Sequence, residues 1–168
     1  DLLTIYEEFR SFDNFVLTYI GDGNNVANSL IFCGSILGVE VRIACPKGYE
    51  PHPDVIKKAK MISDIPNKLL ITNNVSEAVQ GSNVIYTDVW TSMGQENLIK
   101  SKEDKFKGFT ITSHLVKKAL DNAIILHCLP AYRNKEITDD VIDSNNSRIF
   151  EQAENRMHVQ QALLSSFL

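Results

Sequence analysis

The sequence predicts an α/β domain of the doubly wound kind, a three-layer sandwich in which a five-stranded parallel sheet lies between two layers of helices. Three observations predict it. Short apolar runs rich in β-branched residues alternate with segments of helical periodicity along the chain. The runs are apolar throughout, not at every second residue, as strands covered on both faces must be. The 168 residues, 43% of them hydrophobic, suffice for one sizeable core and not comfortably for two, while 8 Gly and 5 Pro are too few for a linker-like chain.

The elements follow in order. Residues 2–9 carry a helical pattern, and because the chain opens inside it at Asp1 and not at Met, it reads as an excerpt. Residues 14–20 form a first strand stopped by Gly21-Asp22-Gly23. A helix over 26–37 places Val26, Leu30, Cys33 and Leu37 on one face, with Asn24 or Asn25 as its N-cap and Gly38 as its end. Residues 40–45 give a second strand closed by Pro46, and Pro53 starts a helix to residue 62. A third strand (68–72), a short helix (75–81) and a fourth strand (83–88) come next. Residues 109–111 lead into a helix over 113–120, residues 123–128 form a fifth strand broken by Pro130, and an amphipathic helix over 154–167 ends the chain.

Composition narrows the function. With 17 Lys+Arg against 21 Asp+Glu, a net charge of −4 and no basic cluster, there is no footprint for nucleic acid or an anionic membrane. No apolar run approaches the roughly 18–20 residues of a membrane span. Cys33, Cys45 and Cys128 are odd in number and far apart, which suits a reducing cytoplasm and neither a disulfide framework nor a thiolate metal site. His52, His114, His127 and His158 lack ligand spacing, so no metal is expected.

In a doubly wound fold, ligands sit beyond the carboxyl ends of the strands. Three clusters stand there. Gly21-Asp22-Gly23-Asn24-Asn25 invites a dinucleotide reading, weakened because Val26 stands where the third glycine belongs and the second strand ends on Ala44-Cys45-Pro46 without a ribose-binding carboxylate. The adjacent amides Asn24 and Asn25 suit a zwitterion better. Asp88-Val89-Trp90-Thr91-Ser92-Met93-Gly94-Gln95-Glu96 offers a carboxylate, a hydroxyl and a glycine-loosened loop; it serves equally as a capped loop whose Trp90 and Met93 fill the core. In His127-Cys128-Leu129-Pro130-Ala131, adjacent strand residues point to opposite faces, so His127 is not a base for Cys128. Arg156 adds a guanidinium on the last helix, where anion binding would be natural, although a solvated salt bridge is the commoner fate of such a residue.

In this order, those three clusters and Glu154-Asn155-Arg156 resemble the ornithine carbamoyltransferase family, over essentially the whole chain but only in that family's C-terminal, ornithine-binding half. The resemblance implies that residues 1–12 are a remnant of the inter-domain helix, 13–150 the α/β core with its Rossmann-like sheet, and 151–168 the C-terminal helix. It implies that Asn25, Asp88, Ser92 and Met93 bind ornithine, that Cys128 lies by the reacting δ-amine, that Cys128 and Leu129 hold the carbamoyl group, and that Arg156 reaches carbamoyl phosphate. No cofactor is implied, and a cytoplasmic homotrimer is. The family's phosphate-binding Ser-x-Arg-Thr-Arg loop has no counterpart in these residues, its His-x-x-Gln motif belongs to the other half, and Tyr132-Arg133-Asn134-Lys135 replaces the usual His-Arg-Gly-Glu.

Elementary chemistry constrains such roles. The nucleophile must be a neutral amine, and removing a proton from an ammonium of pKa ~10.4 at pH 7 costs roughly 4.6 kcal/mol. Asp88 should therefore face the α-ammonium and the δ-nitrogen should sit beside Cys128 and strand-end carbonyls. Enzymes using putrescine or N-acylornithines share the His-Cys-Leu-Pro stretch, so a different acceptor stays open. So do a nicotinamide-dependent oxidoreductase half and a binding module without chemistry.

Overall fold

The strands Val16–Ile20 (β1), Glu40–Ala44 (β2), Leu69–Thr72 (β3), Val84–Thr87 (β4) and Ile124–His127 (β5) form one parallel sheet in the order β3-β2-β1-β4-β5. This is the predicted sheet. The computed structural model describes residues 1–62, 68–90 and 99–168. Connections run outward from β1 through β2 to β3 on one side and from β4 to β5 on the other, so the winding reverses between β1 and β4. At such a switch point the loops leaving neighbouring strands part and leave a crevice.

Helices cover both faces. Leu2–Phe9 (α1), Asn25–Leu37 (α2) and Pro53–Ile62 (α3) lie over one, where Ile5, Leu30, Ile31 and Ala59 meet Leu17, Tyr19, Val84, Tyr86 and Leu126. Val75–Val79 (α4), Ser113–Val116 (α6) and Asp139–Ile142 (α7) lie over the other, where Val75, Ala78, Leu115, Val141 and Ile142 meet Ile20, Ile85 and Ile125. Strand alternation sorts the two cores: odd positions of β1 face the first and even positions the second. Ile99–Lys105 (α5) precedes Phe106, which is fully buried in the second core.

Sequence periodicity missed two helices. α5 reads Ile-Lys-Ser-Lys-Glu-Asp-Lys and α7 is four residues long, so neither carries an apolar repeat. The helix expected over 113–120 ends at Val116, because the chain turns there and Leu120 N–H donates to the Ser82 carbonyl at 3.1 Å. The last helix, Ile149–Phe167 (α8), starts five residues earlier than expected, since Ile149 is buried and Arg148 N–H donates to the Ile125 carbonyl at 3.0 Å. Its expected amphipathic packing is confined to its first half: Ile149, Gln152 and Asn155 are buried, whereas Leu163, Leu164 and Phe167 are exposed. No helix among the described residues is long and apolar enough to cross a membrane.

Candidate active site

Register places the site. Thr87 pairs with both Ile20 and His127, so the next residues, Gly21, Asp88 and Cys128, leave three adjacent strands at one level. Asp88 follows Tyr86 by two and Cys128 follows Leu126 by two, so both side chains emerge on the face of the first core. The thiol donates to Asp88 Oδ1 at 3.0 Å. From the β1–α2 loop, Asn24 Nδ2 donates to Asp88 Oδ2 at 2.9 Å. The Val89 amide closes the set, donating to Oδ1 at 2.7 Å. A carboxylate has about four acceptor positions. Among the described residues three are filled here, which leaves one for a cationic ligand.

Asn24, not Asn25, is the N-cap of α2, its Oδ1 accepting from the amides of Val26 and Ala27. One side chain therefore both starts a helix and orients the carboxylate. Asn25 is the first helical residue and its side chain is exposed at the same loop. Ser92 and Met93 lie outside the described residues. Cys128 keeps its proton: burial, then the hydrogen bond and charge of Asp88, push its thiol up to about 12. Tyr19 and Tyr86, packed beneath with ring centroids 6.0 Å apart, are raised by burial as well and stay neutral phenols. On charge grounds Asp88 is expected to stand apart from the atom beside Cys128. The structure joins the two groups in one hydrogen bond, because parallel register brings the ends of β4 and β5 level.

The Gly-x-Gly turn has another use than cradling phosphates. A Cβ at Gly23 would stand 2.4 Å from the Pro51 nitrogen, and the Gly23 amide donates to the Tyr49 carbonyl at 2.8 Å. The chain's own β2–α3 loop thus occupies the approach a pyrophosphate would need. The close helix–strand contact that a third glycine would allow is made by Gly34, where a Cβ would stand 2.1 Å from Val41 Cγ2.

His127 points to the opposite face, as alternation requires. Its Nδ1 accepts from the Leu129 amide at 2.9 Å, so the proton sits on Nε2, 3.2 Å from Glu136 Oε1. Glu136 Oε1 also accepts from the Tyr132 amide at 2.6 Å, and both side chains are buried. This pair holds the loop bearing Leu129, which has φ 55° and is exposed. The changed residues Tyr132 to Lys135 leave it intact.

Arg156 is exposed on α8 and lines an open cleft of about 500 Å³ with Cys128, His127, Leu2 and Leu3. Cleft and crevice share Cys128. Gln152 fixes this end of α8: its Oε1 accepts from the His127 amide at 2.9 Å, and its Nε2 donates to Tyr86 Oη at 3.0 Å and Asp1 Oδ1 at 2.8 Å. Gln152, Glu136 and Lys102 carry no motif that marks them in the sequence. Only the three-residue step Ile149, Gln152, Asn155 on the buried face of α8 signals any of them. No group of three or more His, Cys, Asp or Glu among the described residues is arranged to hold a metal ion.

Comparison with known proteins gives one answer. A family model described as "Aspartate/ornithine carbamoyltransferase, Asp/Orn binding domain" matches residues 13–167. An ornithine carbamoyltransferase of Prochlorococcus marinus subsp. pastoris is 67% identical over 168 residues, all of this chain and 54% of the relative, and one from a Nostoc species is 51% identical over the same length and 55% of its own. Among solved structures, the ornithine carbamoyltransferase of Pyrococcus furiosus superposes with a TM-score of 0.91 at 43% identity, over 98% of this chain and 53% of that one. That of Thermus thermophilus superposes with a TM-score of 0.86 at 38% identity, over 100% and 53%. The chain spans about half the length of the curated relatives it matches.

Proposed function

This chain belongs to the aspartate/ornithine carbamoyltransferase family, and from that premise we propose that it is the ornithine-binding half of an enzyme that carbamoylates the δ-amine of L-ornithine, giving citrulline and phosphate. The observation that carries the reading is the meeting of Asn24, Asp88 and Cys128 at the switch point, with one acceptor position of Asp88 left among the described residues. That position suits an α-ammonium, Asn25 stands at the same loop for the carboxylate, and Ser92 and Met93 complete the head-group contacts. A neutral thiol beside the tail nitrogen adds no charge that would favour its protonated form.

The δ-amine lone pair attacks the carbamoyl carbon, the tetrahedral intermediate collapses with cleavage of the carbon–oxygen bond to phosphate, and the amine proton leaves. Leu129 and Cys128 border the carbamoyl group, and Arg156 neutralises phosphate oxygens across the cleft. Orientation of two bound substrates supplies most of the rate, and no metal or organic cofactor is required. Residues 1–12 are the remnant of the inter-domain helix, 13–150 the core and 151–168 the C-terminal helix of this half. The preceding carbamoyl-phosphate half is the partner, and the whole enzyme is a cytoplasmic homotrimer of arginine metabolism. Three free cysteines support a reducing compartment.

The purified 168 residues should bind ornithine without turning over. Citrulline formation by this piece overturns the reading, as does an upstream coding sequence lacking a Ser-x-Arg-Thr-Arg loop. In the full-length chain, preference for putrescine or N-acetylornithine over ornithine would shift the acceptor, and sizing of that enzyme tests the trimer.

A further inference from the structure

Lys102, on α5, reaches back to the loops that leave the sheet. Its Nζ lies 2.6 Å from Asp22 Oδ2 and 3.1 Å from the Trp90 carbonyl, and it stands 5.5 Å from the centroid of the Tyr49 ring. The two charged side chains are only 12% and 18% exposed. Asp22 leaves β1, Tyr49 follows β2 and Trp90 follows β4, so one ammonium binds the loops of three strands. These loops are linked to each other as well, since Gly23 N–H donates to the Tyr49 carbonyl and Asn24 N–H donates to the Asp22 carbonyl at 2.7 Å. Asn24 in turn holds Asp88.

We infer that Lys102 is a positioning residue for the amino-acid acceptor, tying the three loops so that Asn24 stays on Asp88 and neutralising Asp22 so that Asp88 is the carboxylate left to hold the acceptor's ammonium. The substrate named here rests on the proposed function. Asp22 and Asp88 follow the two strands that flank the switch point, and a cationic ligand would choose between them if both were uncompensated. With Asp22 paired, the ammonium has one seat, and the tail amine is directed toward Cys128. Without the lysine, a mostly buried carboxylate lacks its cation and the loop bearing Asn24 is drawn toward water.

The test is made in the full-length chain with K102M, K102R and the double variant K102M/D22N. K102M should raise KM for ornithine by about tenfold or more, the scale of one lost charge-assisted hydrogen bond, with kcat and KM for carbamoyl phosphate within about threefold. K102R should recover most of the loss, and D22N should recover it in the K102M background because the stranded charge is gone. An unchanged ornithine KM, both KM values rising together, or no recovery by D22N would overturn the inference. If K102M does not fold, K102Q carries the same expectation. Hydrogen exchange reads the tether with no substrate: the Gly23 and Asn24 amides should exchange about tenfold or more faster in K102M, with α8 unaffected. Equal protection overturns the inference even if the unsubstituted enzyme ignores ornithine, a result that would count against the proposed function alone.

Discussion

Asp88 and Arg156 stand in regions held on opposite terms. Asp88, 8% exposed at the switch point, has three acceptor positions filled among the described residues, by an amide side chain, a thiol and a backbone N–H. Arg156 is exposed on α8, and the outer residues of that helix run from Met157 at 49% exposed to Phe167 at 84%. Among the described residues, the groups at the crevice hold one another in place, whereas the outer half of α8 is left uncovered. Such a division fits a reaction in which one substrate is seated by a pre-built pocket and the other is gripped across a gap. Polar groups ordered before binding incur no reorganisation when the ligand arrives, which is what the first region offers and the second does not.

Removing charge from the buried region has the largest expected effect. Asp88→Asn in the full-length enzyme should lower kcat/KM for ornithine on the order of a thousandfold, while Arg156→Gln should act on the KM for carbamoyl phosphate and leave ornithine binding to the 168-residue chain unchanged. Steady-state kinetics and calorimetry check the pair, and equal effects on ornithine from both would erase the distinction.

Stability should divide the same way. Glu136→Ala strands the His127 Nε2–H in the interior and takes the acceptor from the part-buried Tyr132 amide, at a cost of about 3 kcal/mol. The melting temperature of the domain should fall by roughly 6–12 °C. A smaller effect is the alkaline limit. An unfolded thiol releases its proton near pH 9, while the folded Cys128 holds its own up to about 12. Between these values the unfolded state binds fewer protons, so stability falls as pH rises. Cys128→Ala should flatten the loss of melting temperature between pH 9 and 11, with Cys45, likewise pushed up to about 12 by burial, carrying part of the remainder. Smallest of all, deleting residues 163–168 should shift melting by less than about 2 °C, because Leu163, Leu164, Phe167 and Leu168 are more than half exposed.

The sheet was legible because parallel strands buried on both faces leave unbroken apolar runs, and all five runs became strands. The missed α5 and α7 carry charge or brevity where a pattern would be needed, and α5 holds Lys102. The candidate residues were legible as strand-end clusters, and alternation placed His127 and Cys128 on opposite faces as expected. Asn24 was visible only as one of two capping amides, since a helix start is set by local geometry that the pair Asn24-Asn25 leaves degenerate. Glu136 and Gln152 were hidden, as buried polar residues look like surface ones until their partners are known.

By itself, the sequence determined the layers of the fold, the order of the elements and the chemistry available at each strand end, because these follow from periodicity and residue type over a few neighbouring positions. The tertiary structure alone decided that β1 lies beside β4, that Gly21, Asp88 and Cys128 leave the sheet at one level, and that a lysine 80 positions along the chain closes on Asp22. Such meetings are set by strand order and register, which come from the packing of the whole core and leave no mark on any short stretch of chain.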